Sequence, residues 1–145
     1  MIGFSSSPGR GIIYVYMSDQ IAKSRILFIE DNEYIGYMYQ RALNEAGFDT
    51  ALTSDVKEGL EIAAEEKPDL ILLDLVLPHN DGFWMLKAAK ESASLKGTPI
   101  FVFTNLSSET DKAEALRLGA SDYLLKIDYT PSLLIKRIKQ FLNLQ

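Results

Sequence analysis

Five residues of this sequence are of types that could together move a phosphoryl group, and they cluster just after short apolar runs. Glu30-Asp31 follows Ile26-Leu-Phe-Ile29, and Asp74 follows Leu70-Ile-Leu-Leu73. Thr104 follows Ile100-Phe-Val-Phe103, and Lys126 follows Tyr123-Leu-Leu125. Three carboxylates brought to one point repel each other and raise one another's pKa values. A hard divalent cation removes that conflict: Mg²⁺ takes oxygen ligands and keeps several waters, so two carboxylates and a backbone carbonyl suit it. With no cysteine and a single histidine, a zinc site is unattractive. Beside such an ion the Asp74 carboxylate can attack phosphorus and form an aspartyl phosphate. Lys126 would pair with one phosphoryl oxygen and the Thr104 hydroxyl would hydrogen-bond another, which is the electrostatic support phosphoryl transfer requires. Each residue alone has an ordinary explanation as a turn cap or a surface group. Five complementary groups at four strand ends outweigh those explanations.

The elements that must position these residues alternate in type. Arg25–Ile29 reads as a buried strand. Asn32 caps a helix running to about Ala46, with Ile35, Met38, Tyr39, Ala42 and Leu43 at helical spacing, and Gly47 stops it. Phe48–Leu52 is a weaker strand. Ser54 is expected to cap the next helix, which carries Val56, Leu60, Ile62 and Ala63 and closes at Pro68. Asp69–Asp74 is the strongest strand, apolar on both faces as a central parallel strand must be. A loop through Pro78 and Gly82 leads to a helix from Phe83 to about Ala93. Pro99–Thr104 is the fourth strand. Ser107 or Ser108 caps a helix to Leu118, which Gly119 ends. Tyr123–Lys126 is the fifth strand, and Thr130-Pro131 opens a last helix carrying Leu133, Leu134, Ile138, Phe141 and Leu142. Five βα units in this order imply an α/β, doubly wound five-stranded parallel sheet, (βα)5, with active groups at the carboxyl ends of the strands.

Composition narrows the remaining choices. The 145 residues suit one domain able to bury its own core. Residues 1–24, opening MIGFSSSPGRG, are rich in Ser, Gly and Pro and are expected to be a disordered extension, with the domain over residues 25–145. Met17 is a natural alternative start. The net charge of −5 argues against direct nucleic-acid binding and against an anionic membrane. No apolar run reaches the roughly 18 residues of a membrane span, and a cytoplasmic location is expected.

These residues, in this order and spacing, resemble the response-regulator receiver family of two-component systems, in its stand-alone, chemotaxis-regulator-like form. The pieces that carry the resemblance are ILFIEDN at the first strand, LILLDLVLPHNDG around Asp74, FVFTN at the fourth strand and GASDYLLK at the fifth. The resemblance spans Arg25 to Leu142. It implies the flavodoxin-like strand order 2-1-3-4-5, of which this family is itself a standard example. It implies Asp74 as phosphoacceptor, and Glu30 and Asp31 as the acidic pair that holds Mg²⁺ with Asp74 and the main-chain carbonyl of Val76. Thr104 and Lys126 become the phosphoryl-binding side chains, and Tyr123 the aromatic that turns inward when Thr104 swings toward the phosphoryl group. It also implies a switch rather than an enzyme acting on other substrates, catalysing only its own phosphorylation and dephosphorylation. The donor would be a histidine kinase or phosphotransfer protein. The last helix reaches almost to Gln145, so output is expected through a downstream protein target, from a monomer or weak dimer.

Three positions depart from the family's pattern. Ile127 follows Lys126 where proline is usual, so that loop is expected to sit differently. Asn105 follows Thr104 where a small residue is common, and Val76 is apolar at a position that often affects dephosphorylation. His79, the only histidine, is read as an exposed loop residue rather than a phosphorylated one. Other chemistries fit less well. A phosphatase of the haloacid dehalogenase type needs a D-x-D pattern after its first strand, where this chain has Glu30-Asp31-Asn32. A flavin or nucleotide domain needs a small-residue phosphate loop there, which the two acids would repel, and no Walker loop is present. A receiver-like domain that binds partners without taking phosphate is disfavoured by the full acidic set.

Overall fold

The computed structural model describes residues 22–78 and 82–145. Residues 1–21 and 79–81, and with them most of the expected extension and His79, lie outside the described residues. Five parallel strands, β1 (Arg25–Ile29), β2 (Asp49–Thr53), β3 (Leu70–Leu73), β4 (Ile100–Thr104) and β5 (Asp122–Leu125), form one sheet in the order β2-β1-β3-β4-β5. Between and after them run α1 (Glu33–Glu45), α2 (Val56–Glu66), α3 (Gly82–Glu91), α4 (Glu109–Arg117) and α5 (Pro131–Phe141). A 3-10 turn, Lys126–Asp128, joins β5 to α5. This is the doubly wound, flavodoxin-like arrangement expected from the alternating pattern.

The apolar runs have no polar face because both sides of the sheet are covered. Leu27, Ile29, Ile71, Leu73, Ile100 and Val102 face one way and pack with Val56, Ile62, Met85, Leu86 and Ala115 of α2, α3 and α4. Their neighbours Ile26, Phe28, Leu70, Leu72, Phe101 and Phe103 face the other way, against Tyr39 and Leu43 of α1 and Leu134 and Ile138 of α5. The two-residue period of a strand thus feeds two cores from one run. The outer edge of β2 is covered by α1. Gln40 Nε2 donates to the Thr50 carbonyl at 2.9 Å, and the Thr50 amide donates to Asn44 Oδ1 at 2.9 Å. The edge strand therefore offers less free backbone to a foreign chain.

Several local expectations shift. Asp55, not Ser54, caps α2, its side chain accepting from the Lys57 amide at 2.8 Å. Asn32, Ser108 and Thr130 cap α1, α4 and α5 as their sequence positions suggest. Met38 and Leu133, apolar positions of the first and last expected helices, are 40% and 48% exposed. The covered stripe of α1 runs through Gly36, Tyr39 and Leu43, and that of α5 through Leu134 and Ile138. Lys126 lies just past β5 rather than in it, because Thr104↔Leu125 is the last register pair and the chain turns there.

Candidate functional site

Register decides which side chains meet. Ile29 pairs with Leu73, so Glu30 and Asp74 leave the sheet at the same level, and the Asp74 amide donates to the Ile29 carbonyl at 3.1 Å. Leu73 pairs with Val102 and Thr104 with Leu125, which carries the same edge across to Thr104 and Lys126. At that edge one carboxylate oxygen each of Glu30, Asp31 and Asp74 lies within 4.8 Å of the others. Glu30 and Asp74 are buried, whereas Asp31 is exposed.

Lys126 ties the two buried acids together. Its Nζ donates to Asp74 Oδ2 at 2.7 Å and also to Glu30 Oε1. The other Glu30 oxygen accepts the Asn32 amide at 3.3 Å, and Asp74 Oδ1 accepts the Val76 amide at 3.1 Å. Burial pushes the Glu30 carboxyl above the usual glutamate range, against the pull of Lys126. Burial alone would lower the Lys126 ammonium, but its hydrogen bonds to Asp74 and Glu30 reverse that and hold it above an ordinary lysine. The ammonium is therefore charged throughout the physiological range and stays paired with acids.

Thr104 and Tyr123 converge on a different atom set. Thr104 is fully buried, and its hydroxyl accepts the Leu106 amide at 3.3 Å. Tyr123 is 9% exposed and its hydroxyl donates to the Leu106 carbonyl at 2.7 Å, so its ring lies inward. Burial raises the Tyr123 phenol, and the charges of Asp111 and Asp74 add to that. Strand register places Thr104 at the same edge of the sheet as the acidic group. Val76, whose amide donates to Asp74, is 55% exposed, and Asn105, next to Thr104 in the chain, is exposed.

The family model for the response regulator receiver domain matches residues 26–139. This chain belongs to that family. Over 119 residues it is 37% identical to the alkaline phosphatase synthesis transcriptional regulatory protein PhoP of Bacillus subtilis, covering 82% of this chain and 48% of PhoP. The chain thus spans about half the length of that relative. Among solved structures it resembles the chemotaxis protein CheY4 of Vibrio cholerae, with TM-score 0.76 and 29% identity, covering 82% of this chain and 98% of CheY4. It also resembles the BeF3-activated N-terminal receiver domain of RstA from Klebsiella pneumoniae, with TM-score 0.73 and 32% identity, covering 81% and 97% of the two chains.

Receiver domains of two-component systems are phosphoacceptor switches that bind Mg²⁺ at an acidic cluster, and Glu30, Asp31 and Asp74 form such a cluster here. The donor set suits that ion: all three offer hard carboxylate oxygens, and Asp31 is open to water, which Mg²⁺ retains. The site leaves one residue that the sequence did not flag. Tyr39 reads in the sequence as one more member of an apolar stripe, yet its hydroxyl donates to the Tyr129 carbonyl at 3.0 Å, next to the Lys126 turn. Only the fold brings those residues together.

Proposed function

We propose that Asp74 is the phosphoacceptor of this receiver, that Lys126 and Thr104 hold the incoming phosphoryl group, and that Glu30, Asp31, Asp74 and the Val76 carbonyl hold Mg²⁺. The reading rests above all on one observation: Lys126 bridges Glu30 and Asp74 at an edge where three carboxylates already converge. Asp74 sits at the carboxyl end of a central strand, where its carboxylate can approach a phosphorus atom in line. An Asp74 oxygen forms the new P–O bond, and the P–N bond to a partner's phosphohistidine breaks, its electrons returning to the imidazole. Bound Mg²⁺ supplies charge neutralisation between the carboxylate and the phosphoryl group. Lys126 can pass from Asp74 Oδ2 to a phosphoryl oxygen without losing a charged partner, since Glu30 remains beside it. The Thr104 hydroxyl, which accepts the Leu106 amide, gives up that bond as it turns to donate to a phosphoryl oxygen. The Leu106 carbonyl also accepts the Tyr123 hydroxyl, so that exchange is coupled to Tyr123 and to the loop leading into α4. The switch then biases two arrangements of the α4–β5–α5 face, which a downstream protein reads.

On this reading the donor is a histidine kinase or phosphotransfer protein, the receiver occupies residues 25–145 and works in the cytoplasm, and its only reactions are its own phosphorylation and dephosphorylation. No helix among the described residues is long and apolar enough to cross a membrane. The test is incubation with Mg²⁺ and acetyl phosphate, followed by intact-mass measurement. The wild type should gain one phosphoryl group, labile to base, and Asp74→Asn should gain none. A wild type that stays unmodified, and shows no Trp84 fluorescence response to beryllofluoride, would leave only a partner-binding role.

A further inference from the structure

The β5–α5 connection carries Lys126, yet Ile127 beside it is 86% exposed and adds little packing of its own. The turn is held from elsewhere. The Tyr129 amide donates to the Lys126 carbonyl at 3.3 Å, closing the 3-10 turn. The Tyr129 carbonyl in turn accepts the Tyr39 hydroxyl at 3.0 Å, across 90 positions of sequence. Tyr39 is 6% exposed, with its ring edge-on to Phe28 and Phe103 at centroid distances of 6.2 and 5.2 Å. That packing fixes the ring and so fixes where the hydroxyl points. A phenylalanine would fill the same space, so the hydroxyl is the part that packing does not require. Burial pushes the phenol up, and the charge of Lys126 pulls it part of the way back.

We infer that the Tyr39 hydroxyl is a latch that pins the Lys126–Tyr129 turn and so aims the Lys126 ammonium at Asp74 and Glu30. Tyr39 is then a positioning residue for phosphoryl transfer, acting through Lys126; the inference rests on the roles given to Asp74 and Lys126 above. Without the hydroxyl, the half-buried Tyr129 carbonyl lacks its donor and the turn opens toward water to find another. Lys126 then spends less time in the geometry that receives a phosphoryl oxygen. The Mg²⁺ ligands follow β1 and β3, whose backbone this turn does not hold, so Mg²⁺ binding should not weaken when Lys126 releases Glu30 and Asp74.

The experiment compares wild type, Tyr39→Phe, Lys126→Ala and the double variant at saturating Mg²⁺. Tyr39→Phe should raise the exchange rate of the Tyr129 amide and the Kd for beryllofluoride each by about fivefold, the shift expected from one ordinary net hydrogen bond. Mg²⁺ affinity should be no weaker than in wild type, and the exchange of β1 amides should match it. In the Lys126→Ala background, adding Tyr39→Phe should no longer change the beryllofluoride Kd. Wild-type exchange or wild-type Kd in Tyr39→Phe would overturn the latch alone. So would a weakening that persists undiminished without Lys126, since that would mark a general structural role. A wild type that binds no beryllofluoride would overturn both the latch and the reading beneath it.

Discussion

Replacing Lys126 by methionine removes the charge between two acids while keeping an apolar stem of similar length. In wild type the side chains of Lys126, Glu30 and Asp74 are 11%, 1% and 7% exposed, so water cannot take over the lost pairing. Removing one partner of such a pair costs about 3–5 kcal/mol when the remaining charge has no escape. Glu30 does have one, because it can take up a proton. Its ordinary pKa is 4.5, and protonating such a group at pH 7 costs about 3 kcal/mol at 1.36 kcal/mol per unit. The penalty should therefore saturate near 3 kcal/mol at pH 7 and fall below about 1 kcal/mol at pH 5. The sign follows from linkage. Loss of the ammonium raises the folded-state pKa of Glu30 further, so the folded variant holds a proton that the unfolded chain has released. Its stability is thus lost as pH rises from 4.5 toward the folded value, and levels off beyond it. Urea denaturation of both proteins in chelator at pH 5 and pH 7 measures this, and added Mg²⁺ should restore most of the loss at pH 7. A penalty equal at both pH values, or none at either, would show that the three groups do not form the coupled cluster described above.

The remaining predictions concern the supports of the site. A Cβ at Gly82 would lie 2.6 Å from the Asp74 carbonyl oxygen and 2.7 Å from Leu75 Cα, so Gly82→Ala must displace backbone. It should cost about 1–3 kcal/mol in urea titration and weaken beryllofluoride binding. By contrast, a Cβ at Gly36 meets only the Leu52 methyls at 3.0 Å, and Gly36→Ala should be neutral or stabilising because alanine is the better helix former by about 1 kcal/mol. Asn32→Ala removes the cap on the Ile35 amide at 3.0 Å and should cost about 1 kcal/mol in the same assay. Burial raises the Tyr39 phenol above its ordinary 10.0, so its contribution to stability is complete below pH 10 and is lost as pH rises through the folded value. Thermal melts should therefore fall less steeply above pH 10 for Tyr39→Phe than for wild type, and parallel curves would contradict that burial.

Much of this molecule can be read from local pattern because its strands are short, apolar on both faces and punctuated by caps. Asn32, Ser108 and Thr130-Pro131 mark helix starts through side-chain chemistry that acts within three residues. The errors fall where neighbours in space decide. Met38 and Leu133 have the right period for a covered stripe but sit on its margin, and only the angle at which α1 and α5 meet the sheet sets which margin is wet. Ser54 and Asp55 are both good caps, and the choice went to the residue whose oxygen reaches the Lys57 amide.

That Glu30, Asp31, Asp74, Thr104 and Lys126 stand at the carboxyl ends of parallel strands is legible in the chain alone. A βα repeat with right-handed crossovers leaves few other places for them. How they engage follows from the packing of whole elements. Strand register set Glu30 level with Asp74, the turn after β5 carried Lys126 between the two acids, and the packing of α1 brought Tyr39 to Tyr129. Periodicity fixes which face a side chain takes, but contacts between residues 90 positions apart depend on how whole elements pack, and no local pattern encodes that distance.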